Sequence, residues 1–260
     1  MSRPWSNALT IGLARDGIAL EIERQSTRML SKESIAFDSH DEVSQALLAH
    51  ADALKGCAVN LVLSNALVRY LVLPWQAGLA SREDWKAVAQ QAFRQQFGVD
   101  ADNWQVRVSL DQFGAPVVTT AMHNALYDAL QNASRMMGFG WDSITPAAIG
   151  LLNRLAQQQH AWMLVAEPEY LLLCIRDVFG KPVDFIVASP RAGEEPAQAA
   201  QLVARHIAQT GQQPRQTLVY VSGKLTDAWR EHAKTDHQLS PVYARNTHTF
   251  NASWLTQVPV

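Results

Sequence analysis

The chain has 260 residues, 48% hydrophobic and 18% charged, a balance that excludes disorder and suffices for one large domain or two moderate ones. Its 22 basic and 24 acidic residues leave a net charge of −2, which excludes a protein that holds nucleic acid by neutralising phosphates. Cys57 and Cys174 lie far apart in apolar surroundings and are expected to be free, buried thiols, as in a reducing compartment.

The amino-terminal residues open no apolar run resembling a secretory signal, and no stretch reaches the roughly 18 apolar residues of a spanning helix. The longest candidate, 162–175, is broken by Glu167, Pro168 and Glu169. A soluble protein is expected, reaching any membrane only through a partner.

The pattern over 8–23 predicts a hairpin turning at Asp16-Gly17, and 29–37 a third strand. A helix is expected over 41–54, with Val43, Ala46, Leu47, Ala51 and Leu54 on one face. The apolar run 58–63 suits a buried parallel strand. Residues 66–122 then read as strand, helix, strand, strand. A strand over 67–73 ends at Pro74-Trp75, and a helix begins at Ser81 with Asp84 completing an approximate capping box. Trp85, Val88, Ala89, Ala92, Phe93 and Phe97 stripe that helix, and strands follow over 104–110 and 116–122. A helix over 123–137, a strand over 141–145 and a helix over 147–159 complete the first part. Residues 157–160 are the expected linker.

Beyond it the opening pattern returns: strands over 162–165, 170–175 and 183–188, a helix from Pro196 to Gly211, and a strand over 216–221. A helix over 223–233 and a strand over 239–244 close the chain. Each part thus carries three strands, a helix and a buried strand at nearly the same spacing, a repeat of architecture rather than of residues. Periodicity alone supports α/β with mixed sheets.

This duplicated layout, with a strand-helix-strand-strand insert in its first copy, resembles the actin-like (ribonuclease-H-like) ATPase superfamily. Within it, the segment 61–75, Phe97-Gly98 and the stretch Trp104 to Arg107 are similar to the cytoplasmic domain of the type II secretion L protein. The layout also resembles the type IV pilus assembly M protein. The resemblance implies a first actin-like half over 1–159, with an inserted subdomain over 66–122, and a second half over 160–260.

Where that fold is an ATPase, each half carries an Asp-x-Gly phosphate loop at its first hairpin, the acid for metal and water, the glycine for close approach of backbone amides. Here Ala14 and Asp16 stand at the acid and glycine positions of the first loop, or, in a register two residues on, Asp16 and Ile18; Ala166 and Pro168 stand at those of the second. The glycine pair expected after the late strand is reduced to Ser222-Gly223. The loops therefore read as degenerate, and neither ATP hydrolysis nor any cofactor is expected.

Other chemistry is sparse. The eight histidines show no ligand spacing, so no metal site is expected, and no Gly-x-Ser-x-Gly, Walker or Gly-x-Gly-x-x-Gly motif occurs. His206 reads as a core histidine, and Glu167 and Glu169 as two solvated charges. A nuclease of the ribonuclease-H-like fold fails on net charge and on the lack of clustered acids.

The reading is then a non-catalytic cytoplasmic scaffold of a type IV pilus or type II secretion-like assembly, peripheral to the inner membrane. The resemblance implies as partners the cytoplasmic tail of a bitopic inner-membrane protein and a secretion or pilus ATPase; a homodimer is also open to it. The rival reading is a divergent actin-like ATPase or phosphotransferase. The partner surface is expected on the insert, at Leu71, Leu73, Trp75 and Trp85, because an aromatic just after a strand-ending proline is suited to an interface.

Overall fold

A computed structural model describes residues 8–14, 17–24, 27–35, 40–48, 51–55, 57–110, 113–154, 161–167, 170–221, 229 and 239–242. The chain opens with strands β1 (Ala8–Ala14), β2 (Gly17–Arg24) and β3 (Thr27–Ile35), then helices α1 (His40–Leu48) and α2 (Ala51–Leu54) and strand β4 (Ala58–Leu63). The insert follows as β5 (Val68–Leu73), α3 (Arg82–Phe97), β6 (Trp104–Ser109) and β7 (Val117–His123). Helix α4 (Asn124–Met137), strand β8 (Trp141–Pro146) and helix α5 (Ala147–Arg154) complete this part. Then come β9 (Ala161–Glu167), β10 (Tyr170–Arg176), β11 (Pro182–Ala188), α6 (Glu195–Thr210), β12 (Gln216–Val221) and β13 (Leu239–Val242).

The strands form two five-stranded sheets of the same order, β3-β2-β1-β4-β8 and β11-β10-β9-β12-β13, and a three-stranded sheet, β5-β7-β6. In both large sheets the first three strands are antiparallel and the next two join in parallel. The duplication read from hydrophobic spacing is thus a duplication of topology.

Strand periodicity decides what each face buries. Along β9, Ala161, Met163 and Val165 join the large core shared with the first sheet, while Trp162, Leu164 and Ala166 join a second core with Ala199, Leu202 and Val203 of α6. A strand covered on both faces reads as a continuous apolar run, which is why β9 is buried throughout.

The insert has its own core. Ser81 caps α3: its hydroxyl accepts from Asp84 N–H at 3.1 Å, and the Asp84 carboxylate accepts from Ser81 N–H at 3.0 Å. The Ser81 hydroxyl, donating to Asp84 Oδ2 at 2.8 Å, and then the Ser81 N–H hold the Asp84 carboxyl below its ordinary range. Trp85, Ala89 and Phe93, on one face of α3, bury against Leu73, Val106, Val117 and Ala121. Phe97, expected in that stripe, stacks on Phe93 at 5.5 Å but remains partly exposed.

Several expectations shift. The helix expected over 41–54 is described over His40–Leu48 and Ala51–Leu54, and α5 only to Arg154, with the expected linker outside the described residues. The helix expected over 223–233 also lies outside them, save for Trp229, which is buried in the α6 core. In the β10–β11 turn, Gly180 has φ +79°, a conformation that favours glycine, and a Cβ there would stand 2.7 Å from Arg176 Nη2 and displace the guanidinium. Arg176 Nε donates to the Gly180 carbonyl at 2.8 Å.

Candidate functional site

The insert's small sheet has two unlike faces. Leu71 and Leu73 on β5, Val106 on β6, and Val117 and Ala121 on β7 point to α3. By the alternation of the strands, Val68, Gln105, Arg107, Thr120 and Met122 lie on the opposite face. These five line a groove of about 350 Å³. Its other walls are Tyr127 and Gln131 of α4 and the strand β8, from Trp141 to Pro146.

The floor is apolar (Leu63, Val68, Met122 and Ile144), whereas Gln105, Arg107, Gln131 and Asp142 bring polar groups to the walls. Three contacts fix those walls. The Arg107 guanidinium lies 5.9 Å from the Tyr127 ring centroid, tying insert to α4. Trp141 Nε1 donates to the Leu130 carbonyl at 3.2 Å, and Ser143 Oγ to Asn60 Oδ1 at 2.8 Å, anchoring β8. Strand β8 is the last of its sheet, paired on one side with β4; among the described residues no strand pairs with its outer side. An edge strand beside an apolar-floored groove can accept an extended segment through its free backbone groups while side chains enter the floor.

A second cluster lies behind this groove. Asn65, in the short 3-10 turn between β4 and β5, is fully buried. Its backbone N–H donates to Glu167 Oε1 at 3.0 Å and its Nδ2 to the same oxygen at 2.7 Å. Ser64 Oγ donates to Glu167 Oε2. Asn65 Oδ1 accepts from the Tyr70 hydroxyl at 2.5 Å and from Ala148 N–H at 3.0 Å. Ala148 is in the first turn of α5, so Asn65 serves one of the amides a helix leaves unpaired at its start. Burial pushes the Glu167 carboxyl up, opposed by the hydrogen bonds from Ser64 and Asn65. Burial also pushes the Tyr70 hydroxyl well above its ordinary value and the Tyr170 hydroxyl up to about 12, the latter opposed by Arg69.

The residues singled out from the sequence are placed unevenly. Leu73 and Trp85 are buried in the insert's core and Leu71 packs against it, all on the face turned from the groove. Alternation along β5 directs both leucines to α3, so the partner surface expected at these positions has little of Leu73 or Trp85 to offer. Trp75 is half-buried, with ring centroids 5.3 Å from Trp85 and 4.8 Å from Phe113, which is 86% exposed. Ala14 and Ala166 are buried at the ends of β1 and β9. Asp16, Pro168 and Gly223 lie outside the described residues.

Glu167 is the clearest correction: expected to be solvated, it is 4% exposed. The signal was its parity, since it continues the series 161, 163, 165 that faces the first sheet. Asn65 was overlooked between two apolar strands, where a buried polar side chain requires partners.

No protein-family model matches the sequence, and neither does any curated protein. Solved structures do. A protein with actin-like ATPase fold and unknown function from Bacteroides thetaiotaomicron aligns at a TM-score of 0.63 and 11% identity, covering 97% of this chain and 96% of that one. The cytoplasmic domain of EpsL, an inner membrane component of the type II secretion system of Vibrio cholerae, aligns at 0.59 and 11%, covering 97% and 93%. The PilM–PilN type IV pilus biogenesis complex aligns at 0.60 and 14%, covering 92% and 89%.

The chain therefore has the actin-like fold, a mixed α/β architecture with its two five-stranded sheets in one order. Two of these neighbours are components of secretion and pilus assembly. No described helix is long and apolar enough to cross a membrane.

Proposed function

We propose that this protein is a non-catalytic scaffold of a secretion or pilus-type assembly, dividing into actin-like halves at about residue 160, and that its groove receives the cytoplasmic tail of a bitopic inner-membrane protein. The observation that carries the reading is the groove between the outer edge of β8 and the open face of the insert's sheet. An extended tail adds to β8 as a strand and sets apolar side chains against Leu63, Val68, Met122 and Ile144, while its polar groups meet Gln105 and Gln131. The protein then lies at the cytoplasmic side of the inner membrane through that tail, and offers its remaining surface to the assembly ATPase.

Thr120→Arg tests the groove, because a long cation on that wall fills the space a bound strand needs. Titration of a fluorescent tail peptide is expected to show at least about a tenfold loss of affinity, with the melting temperature unchanged. Equal affinity in the variant would place the partner elsewhere.

The rival reading, a nucleotide-using enzyme, has less support. Ala14 and Ala166 are buried aliphatic residues where the hairpin acids of an ATPase are expected, and the neighbouring carboxylate of Glu167 is taken up by protein donors. Millimolar ATP with magnesium is expected to leave the melting temperature unchanged, since only a ligand of the native state raises it. A saturable upward shift would favour the enzyme.

A further inference from the structure

Glu167 ends a strand of the second sheet, yet Ser64 and Asn65, its hydrogen-bond donors, follow a strand of the first. The amide of Asn65 is therefore oriented by chemistry. Nδ2, the donor, must face the carboxylate, which leaves Oδ1, the acceptor, for the Tyr70 hydroxyl and Ala148 N–H. The reverse orientation would set Oδ1 against the carboxylate and Nδ2 against two donors.

Both arms of this junction run into the groove. Tyr70 lies two residues beyond Val68, which lines the groove floor, and its ring also meets Phe185 of β11 at 4.9 Å. Ala148 lies two residues beyond Pro146, which lines the opposite wall at the end of β8. We propose that Glu167 is a latch: by fixing Asn65 in the one orientation that serves Tyr70 and Ala148 together, it holds the second sheet to the first and braces both walls of the groove from behind. Glu167 is on this reading a positioning residue. Its consequence for a partner rests on the function proposed for the groove, but the latch itself is read without any partner present.

Hydrogen exchange of Glu167→Ala against the unaltered chain, with no peptide added, tests it. Backbone amides of 65–70 and 147–150 are expected to exchange about tenfold faster, while those of α3, in the insert's separate core, stay unchanged. Glu167→Gln is expected to restore slow exchange, because its carbonyl still accepts from both nitrogens of Asn65. Unchanged exchange in the two segments, an equal rise in α3, or a glutamine variant as fast as alanine would each overturn the latch. Should the alanine variant not fold, Glu167→Asp serves instead, its carboxylate withdrawn by one methylene. Faster exchange confined to the same two segments is then expected, and unchanged exchange there overturns the proposal.

Discussion

Asn65→Ala is expected to lower the stability of the chain by about 3–5 kcal/mol, the cost of stranding several buried polar groups at once. Alanine removes the Nδ2 donor from Glu167 and the acceptor shared by the Tyr70 hydroxyl and Ala148 N–H, at a position fully buried from solvent. Each group so orphaned costs about 1–3 kcal/mol. Asn65→Asp makes a sharper control. It keeps the acceptor but sets a second carboxylate beside Glu167, and like charges raise the pKa of such a pair above the unfolded value. The folded state then binds the extra proton, so the variant's deficit should shrink as pH falls towards ~4 and widen as pH rises. Urea unfolding at fixed pH reads both effects as a shift of midpoint at constant slope. A loss under about 1 kcal/mol in the alanine variant would mean that Asn65 holds nothing together.

Trp85→Ala is the second large effect. Trp85 is 1% exposed, and truncating a buried tryptophan costs about 3–5 kcal/mol in lost burial and residual cavity. Its neighbours include Val106 of β6 and Val117 and Ala121 of β7. The opposite face of those strands forms one wall of the groove, so loosening this core also removes the binding surface. Circular dichroism against urea should show the destabilisation, and tail-peptide titration should show binding lost with it. Trp75→Ala, truncating a half-buried ring, should cost distinctly less. A Trp85 variant of normal stability that no longer binds its partner would return Trp85 to the interface, against its burial.

These effects show what was legible beforehand. The elements, the insert and the duplicated order follow from local signals: the apolar run of β1 and the alternation of β2, the Ser81–Asp84 cap, the stripe on α3, Gly211 after α6. Even the burial of Glu167 was written in its parity along β9. The groove was not legible, because its walls come from positions as separate as Leu63, Gln105, Gln131 and Asp142, and only the fold brings them together. The pairing of Asn65 with Glu167 spans 102 residues and leaves no periodic trace. Trp85 drew notice as a large aromatic, yet such residues are at least as often the centre of a core as the anchor of an interface.

The position of the insert also governs the order in which this protein can assemble. Strand β8 pairs with β4 through Val59↔Trp141 and Leu61↔Ile144, but the whole insert and α4 lie between the two in the chain. The insert's pairings are antiparallel and closer in sequence, β6 with β7 through a short turn. On a ribosome the insert can therefore condense first, while β4 waits with an open flank for its last neighbour. Long-range parallel pairing is slow, and an unpaired apolar strand is the species that aggregates. During synthesis β4, central between β1 and β8 once folding ends, keeps one flank open until residues 141–146 emerge.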